Sequence, residues 1–191
     1  MISMPSALQD APEACRILFN HWNEIRAGAL VPRRAQIDPA RLITILPQIQ
    51  IVEVQSRSVI HCKLVGTGLR DLFGFDYTGR NFLEMAPVDG RRTRSYRTTL
   101  AVQQPCATIF GGTVPFRSGA RAPVCGVSLP LLPDQAGGNP LIVAAIALVA
   151  DRGWINEPRD GTIGMPEDFA FLDIGAGIPD RNDPPDDWQM D

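Results

Sequence analysis

Residues 59–85 constrain the fold most strongly, because they predict a strand, a short helix and two glycine turns in close succession. Residues 59–65 are rich in strand-forming side chains and end at Gly66. Apolar residues then recur at helical spacing as far as Gly74, where a residue free to adopt positive φ commonly ends a helix. Thr78 and Gly79 predict a second turn, after which an apolar step returns the chain to the core. This order predicts that strands and helices are mixed in one fold.

Patterns elsewhere in the chain predict an α+β domain. Helices are predicted over 11–28, over 38–47 after the capping pair Asp38-Pro39, and over 89–103. Strands are predicted near 49–54, 59–66, 107–116, 124–132 and 140–150. Turns at 118–119 and 137–139 separate the last three strands and indicate two successive hairpins.

The last predicted strand carries apolar residues at both alternating positions, so both of its faces need cover. The short helices can cover one face. The N-terminal helix is the candidate for the other face, because Leu18, Trp22 and Ile25 follow one another at helical spacing. These three residues are therefore the candidates for packing the helix on the sheet.

Charge and composition divide the chain into three parts. The whole chain has a formal net charge of −3, but residues 151–191 hold eleven acidic residues against three arginines. We therefore predict an N-terminal helical extension at 1–47, a domain at 48–150, and an acidic tail at 151–191. The tail is rich in proline and glycine, which favours an extended or disordered segment. One apolar cluster within it (Phe169, Phe171, Leu172 and Ile174) could dock on the domain or on a partner.

The four cysteines include no C-x-x-C pair, and the N-terminus has no basic-then-apolar signal pattern. No apolar run approaches the roughly 18 residues that span a bilayer. The sequence predicts a reduced, cytoplasmic protein without a membrane segment.

Several stretches resemble the PAS domain. Phe-Gly-Phe-Asp-Tyr-Thr-Gly-Arg-Asn-Phe at 73–82 is close to the usual PAS wording. A longer pattern is similar to a bacterial family of stand-alone PAS proteins, formerly catalogued as a domain of unknown function. Its stretches are Arg-Ala-Gly-Ala-Leu-Val-Pro-Arg-Arg-Ala-Gln-Ile-Asp-Pro at 26–39, Ile-Leu-Pro-Gln-Ile at 45–49, Lys-Leu-Val-Gly-Thr-Gly at 63–68 and Leu-Pro-Leu-Leu at 129–132. The resemblance implies a five-stranded antiparallel sheet with short helices on one face and an N-terminal helical extension.

The resemblance also implies a sensory or docking module that forms a homodimer, with Leu18, Trp22 and Ile25 as candidate contacts. It carries no catalytic residue. A PAS sheet and its helices enclose a small cavity, and apolar residues of the matching segments are the candidates for lining it. They are Leu69, Leu72, Phe73, Phe75, Phe82, Met85 and Leu100 from the helical side, with Val127 and Leu129 from the sheet. Each of them also suits an ordinary filled core.

The chemistry-bearing residues give little support to a cofactor or a metal. Haem-binding PAS domains usually present a histidine from the helical wall, and residues 67–88 contain none. A flavin adduct would need a cysteine in that region, and Cys62 and Cys106 lie on predicted strands. His21 and His61 form no usual metal-ligand spacing with the cysteines. We expect no cofactor and no metal.

Four arginines on the predicted helix 89–103 (Arg91, Arg92, Arg94 and Arg97) could bind nucleic acid or a phosphate-bearing ligand. Tyr96 is the one aromatic residue among them, so a solvated helix face is the simpler interpretation. The same arginines could hold the acidic tail through weak, salt-sensitive contacts.

The sequence favours a non-catalytic sensory module that binds a small apolar ligand or a protein partner and signals through an unidentified signalling protein. Two alternatives stay open. A small α+β cavity enzyme would need a polar dyad in its pocket, and none can be placed from the sequence. A purely structural interaction protein would have a filled core.

Overall fold

An antiparallel sheet of six strands forms the middle layer of the fold, and helices lie on both of its faces. The structure, a computed structural model, describes residues 2–116, 121–149 and 162–191. The helices are α1 (Ser6–Gln9), α2 (Glu13–Ile25), α3 (Thr67–Phe73) and α4 (Arg91–Gln103). The strands are β1 (Ile49–Val54), β2 (Ile60–Val65), β3 (Ala107–Pro115), β4 (Arg121–Leu131), β5 (Leu141–Leu148) and β6 (Asp168–Leu172).

The strands lie in the order β2-β1-β5-β4-β3-β6, and every neighbouring pair is antiparallel. β5 lies between β1 and β4, so the strand with two apolar faces is interior. A bulge in β2 adds one residue between Cys62 and Leu64 opposite β1. Cys62 and Val65 therefore both pack on the same side of the sheet.

α2 covers one face of the sheet. Leu18 and Trp22 are fully buried there, in one cluster with Leu129 of β4 and Val143 of β5. The indole N–H of Trp22 donates a hydrogen bond to the carbonyl of Pro130 at 2.8 Å. This N-terminal helix thus caps the sheet within its own chain.

α3, α4 and the segments between them cover the opposite face. Leu69, Leu72 and Phe73 are buried in a second cluster, which includes Ile142 of β5. Gly74 ends α3 with φ 76°, the left-handed conformation that the sequence predicted.

The predicted α+β architecture with an antiparallel sheet and an N-terminal helix is confirmed, but the expectation of five strands is wrong. The sixth strand is Asp168–Leu172, which lies inside the predicted tail and pairs with the edge of β3. The sequence does not reveal so short a strand in an acidic, proline-rich segment. The strand forms because its backbone N–H and C=O groups pair with those of β3, and such pairing leaves no pattern in the side chains. Residues 168–172 are therefore part of the sheet rather than a disordered segment.

The chain beyond β6 packs along the domain. Ile174 is buried, and its carbonyl accepts a hydrogen bond from Arg26 at 3.1 Å. Trp188 contacts the ring of Tyr96 edge-on, with 5.0 Å between ring centroids. The guanidinium of Arg57 lies 4.0 Å from the centroid of the Trp188 ring.

The predicted helix over 38–47 is also corrected. Asp38 does cap a helix, since its carboxylate accepts from the N–H of Ala40 at 3.0 Å. That helix is a short 3₁₀ turn, Pro39–Leu42, and a second 3₁₀ turn, Leu46–Gln48, follows it. Pro47 lies in the first turn of that second helix, where the N–H that proline lacks would have no helical partner.

In the described part of the chain, the helices are all too short or too polar to cross a lipid bilayer.

Candidate functional site

A cavity of about 140 Å³ lies between the sheet and α4. Strands β1, β3, β4, β5 and β6 supply its floor, and α3, α4 and residues 163–166 supply its walls. The residues that β6 and the 163–166 segment contribute come from the predicted tail. The C-terminal part of the chain therefore helps to build the cavity as well as the sheet.

The wall of the cavity is mainly apolar. Aromatic rings come from four different parts of the chain, and aliphatic side chains fill the space between them. The aromatic residues are Phe73, Phe82, Phe110 and Phe169, and the aliphatic residues include Val52, Val114, Val124, Ile142, Ile146 and Ile163.

A glycine in the floor makes room for one of these rings. Gly126 of β4 lies opposite Phe110 of β3 in the register of the sheet. A Cβ atom built at Gly126 would overlap the far edge of the Phe110 ring. The ring therefore lies directly over the glycine backbone, and any larger residue at 126 would displace it into the cavity.

Arg94 is the most unusual residue of the wall, since it is a charged side chain that is only 6% exposed. Its guanidinium donates to the carbonyls of Phe82 at 3.2 Å, Ile163 at 2.7 Å and Gly164 at 3.1 Å. It also lies over the Phe82 ring, 4.5 Å from the centroid. Burial lowers the pKa of Arg94 to about 10, so the side chain stays charged at pH 7.

Arg97 lies one turn further along α4 and also lines the cavity. Its Nη2 pairs with the exposed carboxylate of Asp183 at 3.0 Å, and its Nε donates to the carbonyl of Asn182 at 2.9 Å. The guanidinium lies over the ring of Phe169, 4.2 Å from the centroid. Its Nη1 is buried and has no hydrogen-bond partner among the described residues.

Hydroxyl and amide groups complete the polar part of the wall. Thr98, Thr108, Thr113 and Ser128 lie around the cavity with Gln50. The Gln50 side chain is engaged, because its oxygen accepts a hydrogen bond from the buried hydroxyl of Tyr77 at 2.9 Å. Burial raises the pKa of Tyr77 above its ordinary value, so this hydroxyl remains a donor at neutral pH.

The structure brings only part of the predicted lining set to the cavity. Phe73 and Phe82 line it. Five others belong to the hydrophobic cluster behind its wall, either buried in the cluster or packed against it: Leu69, Leu72, Phe75, Met85 and Leu100.

Val127 and Leu129 lie on the wrong face of the sheet for a cavity wall, and the prediction is corrected. Both are fully buried in the cluster beneath α2. Their neighbours at the other parity, Gly126 and Ser128, face the opposite side, and Ser128 lines the cavity. β4 has apolar residues in both parities, so its sequence does not reveal which set faces the cavity.

Of the predicted packing residues, Leu18 and Trp22 lie in the cluster beneath α2, whereas Ile25 is only partly buried and lies outside it. Their predicted role in a dimer stays a prediction.

The sequence reasoning missed Arg94, because it treated the arginines of α4 as a solvated helix face. A signal was available, since Arg94, Thr98 and Ala101 are four and three residues apart. Residues at this spacing share one side of a helix, and the small partners indicate that this side faces the sheet. All three line the cavity.

The remaining chemistry-bearing residues lie elsewhere. The four cysteines are free, and none of the described residues that line the cavity is a cysteine or a histidine. Burial raises the pKa values of Cys62 and Cys106 to about 12, so both remain thiols at neutral pH. Across the described ranges, no group of three or more His, Cys, Asp or Glu side chains could hold a metal ion.

Comparison with known proteins places this fold in a family. A profile described as PAS domain matches residues 11–143, from the start of α2 into β5. None of the curated proteins compared with the chain matches it.

Three of the solved structures that this chain is similar to come from a fungus, a bacterium and a fly. A fungal LOV domain photoreceptor is 15% identical, with 52% of this chain and 72% of that chain covered at a TM-score of 0.38. The PAS domain of Bordetella pertussis BvgS is 13% identical, with 60% and 89% covered and a TM-score of 0.34. A Drosophila melanogaster Cycle PAS-B variant with bound glycerol is 12% identical, with 52% and 98% covered and a TM-score of 0.38. On the profile match over residues 11–143, which is well over half of the chain, this protein belongs to the PAS domain family.

Proposed function

We propose that this PAS domain is a non-catalytic sensory or regulatory module that binds a small molecule and passes the signal on through protein–protein contacts. The observation that supports this function is the cavity of about 140 Å³ between the sheet and α4. A single water molecule needs a cavity of only about 10–15 Å³, so this cavity suits a small organic molecule. Its apolar wall with a few polar groups is typical of ligand sites.

α4 offers a route from the cavity to the surface. One side of the helix faces the cavity through Arg94 and Ala101. On another side, Tyr96 packs against Trp188 near the C-terminus. A ligand that favours one position of α4 would therefore shift the packing of the C-terminal segment, where a signalling partner could read the change.

The proposal is tested on the full chain purified from the organism that makes it. We expect native mass spectrometry to detect a bound small molecule that is lost on denaturation. Its removal should increase hydrogen exchange in α4 and in residues 180–191, whereas exchange in α2 should stay unchanged. A protein that carries no small molecule, and whose α4 exchange responds to none of the compounds described below, would contradict a sensory role.

Two alternative functions have less support. A cavity enzyme that uses a histidine would need His21 or His61 in the wall, and neither lines the described part of the cavity. A purely structural protein would have a filled core, whereas the cavity leaves space that an added side chain could occupy. The variant Ala101→Leu fills the cavity and so distinguishes a sensor from a structural protein. The variant should abolish ligand binding if the protein is a sensor, and it should leave partner binding intact if the protein is purely structural.

We also propose a homodimer, as is common among PAS domains. Sedimentation velocity on the intact chain should give twice the mass of one chain, and a monomer at about 100 μM would rule the dimer out.

The expected absence of haem and flavin predicts a colourless protein, which an absorbance spectrum of the native preparation checks. The four free cysteines support a reducing, cytoplasmic location.

A further inference from the structure

The charge of the cavity wall is one-sided. Arg94 and Arg97 both line the cavity, and no aspartate or glutamate is found among the described lining residues. An apolar cavity lined by two arginines has a positive potential that the surrounding protein screens only weakly.

Arg94 has no negative partner in the described ranges. Its three hydrogen bonds are all to neutral backbone carbonyls. The other ionisable groups that act on it are Cys62 and Tyr77, and both are neutral at pH 7 because burial raises their pKa values. A buried charge without a counter-ion is unfavourable, so an anion at this position would be bound strongly.

Arg97 supplies a free donor beside this charge. Asp183 and Asn182 occupy two of its nitrogens at the outer side, where the carboxylate of Asp183 is 73% exposed. Nη1 is buried and has no hydrogen-bond acceptor within the described chain, whereas buried polar groups are normally hydrogen-bonded. A ligand oxygen that accepted a hydrogen bond from Nη1 would supply the missing acceptor.

We infer that the cavity binds a small monocarboxylate with an apolar or aromatic body, its carboxylate held by Arg94 and Arg97 and its body packed among Phe73, Phe82, Phe110 and Phe169. The inference rests on the proposed ligand-binding function and names the chemical class of the ligand. Guanidinium groups match the planar geometry of a carboxylate.

The match to a carboxylate is better than the match to a phosphate ester. A phosphate brings close to two negative charges and three strong acceptor oxygens. Arg94 already uses three of its donor interactions on carbonyls, and Arg97 has one buried nitrogen free. The remaining capacity therefore suits one negative charge, while the four rings suit an apolar body.

The test measures binding of matched acids and amides to the full chain by isothermal titration calorimetry. The probes are benzoate and hexanoate, each compared with its neutral primary amide of nearly the same shape. We expect at least one acid to bind with 1:1 stoichiometry and to bind at least about tenfold more tightly than its amide, as the loss of one charge-assisted contact implies.

Three variants locate the site. Arg97→Gln removes the free donor, and the other contacts of this side chain are with Asp183, Asn182 and the Phe169 ring. It should weaken the acid about tenfold and leave the affinity for the amide nearly unchanged. Arg94→Gln should weaken the acid further, provided that circular dichroism shows a folded protein. Arg91→Gln is the matched control, because Arg91 is on the same helix but outside the described cavity wall. It should bind the acid like the parent protein.

The outcomes separate this inference from the proposed function. If an amide binds as tightly as its acid, or if Arg97→Gln leaves the affinity for the acid unchanged, the charge-based inference is overturned while ligand sensing stands. If no acid binds but the host-purified protein carries a neutral molecule, the inference is again overturned and the sensory function is supported. If nothing binds and nothing is carried, both are overturned.

Discussion

Gly66, which follows β2, is a position where the surrounding atoms leave no room for a side chain. Its φ of −64° is ordinary for any amino acid, so conformational freedom is not the reason for glycine here. A Cβ atom at this position would lie 2.6 Å from the carbonyl carbon of Pro47 and would overlap the carbonyl oxygens of Leu46 and Pro47. These are backbone atoms, which cannot rotate away as a side chain can.

We predict that Gly66→Ala lowers the free energy of unfolding by about 1–3 kcal/mol, the usual range for overpacking. Urea denaturation followed by circular dichroism measures it. Gly164→Ala is the matched control, since a Cβ atom there would meet no other atom within 4 Å. An equal loss of stability in the two variants would show that the close approach of Pro47 relaxes at little cost.

His21 makes the stability depend on pH. Burial, aided by the positive charge of Arg41, lowers the pKa of His21 below its ordinary value of 6.5. Its Nε2 accepts a hydrogen bond from the N–H of Asp38 at 3.1 Å, which requires the unprotonated nitrogen. The unfolded chain takes up a proton near pH 6.5, whereas the folded protein takes it up only at lower pH. The stabilisation is therefore complete above pH 6.5 and is lost as the pH falls below it.

We predict that the melting temperature falls more between pH 7.5 and pH 5 in the parent protein than in His21→Gln. The glutamine can still accept from Asp38 but does not titrate. Other titrating groups are common to both proteins, so the difference between the two slopes isolates His21. Parallel slopes would mean that His21 does not contribute.

At the residue scale, the sequence could indicate which side chains are apolar but not which side of the sheet they face. Phe73 and Phe82 could be placed at the cavity because they lie in the segment that resembles the helical side of a PAS domain. Val127 could not, because β4 carries apolar side chains at both parities and is buried on both faces. The buried state of Arg94 depends on carbonyls of residues 163 and 164, about 70 positions away, which no local pattern reveals.

Among the elements, α2 covers one face of the sheet. Trp22 is fully buried, and its indole N–H is satisfied by Pro130. We predict that Trp22→Ala costs about 3–5 kcal/mol, because it removes a large buried side chain and leaves the Pro130 carbonyl without its donor.

Ile25→Ala is the control for Trp22→Ala, since Ile25 is on the same helix but only partly buried outside the cluster. It should cost about 1 kcal/mol or less. Guanidinium denaturation of both variants measures the difference. Similar losses would mean that α2 stabilises the sheet by its presence as a helix rather than by the packing of Trp22.

Most helices and strands could be predicted because each has a clear periodicity of apolar residues or ends at a glycine or proline. α2, α3 and α4 and the first five strands all lie within a few residues of their predicted ranges. β6 could not, because five residues between proline-rich segments have too little periodicity. Pairing with the outer edge of β3 decides its conformation.

For the whole molecule, the matched family profile ends at Val143 and the fold continues beyond it. β6, two of the three carbonyls that bind Arg94 and the ring of Trp188 come from residues 162–191. The division at residue 150 predicted from composition is open to a direct test by truncation.

We predict that a chain ending at residue 161 loses cooperative unfolding, since Arg94 loses two of its three carbonyl partners and the edge of β3 loses its paired strand. A chain ending at Asp183 should stay folded with a lower melting temperature, because only the contacts of Trp188 and the residues near it are removed. Trp188→Ala should reproduce most of that smaller loss. Scanning calorimetry measures all three. A sharp, unchanged transition in the shortest chain would show that the predicted boundary is right.

The position of β5 between β1 and β4 has a consequence for synthesis. The β1–β2 hairpin leaves the ribosome long before the strand that pairs with its inner edge, so Ile49 and Val52 stay uncovered while the middle of the protein is made. Pairing strands so far apart in sequence requires closure of a long loop, which slows folding. β6 is translated later still. The nascent chain therefore exposes an unpaired apolar edge until β5 has been made, and this interval is when chaperones would bind it and when aggregation would begin.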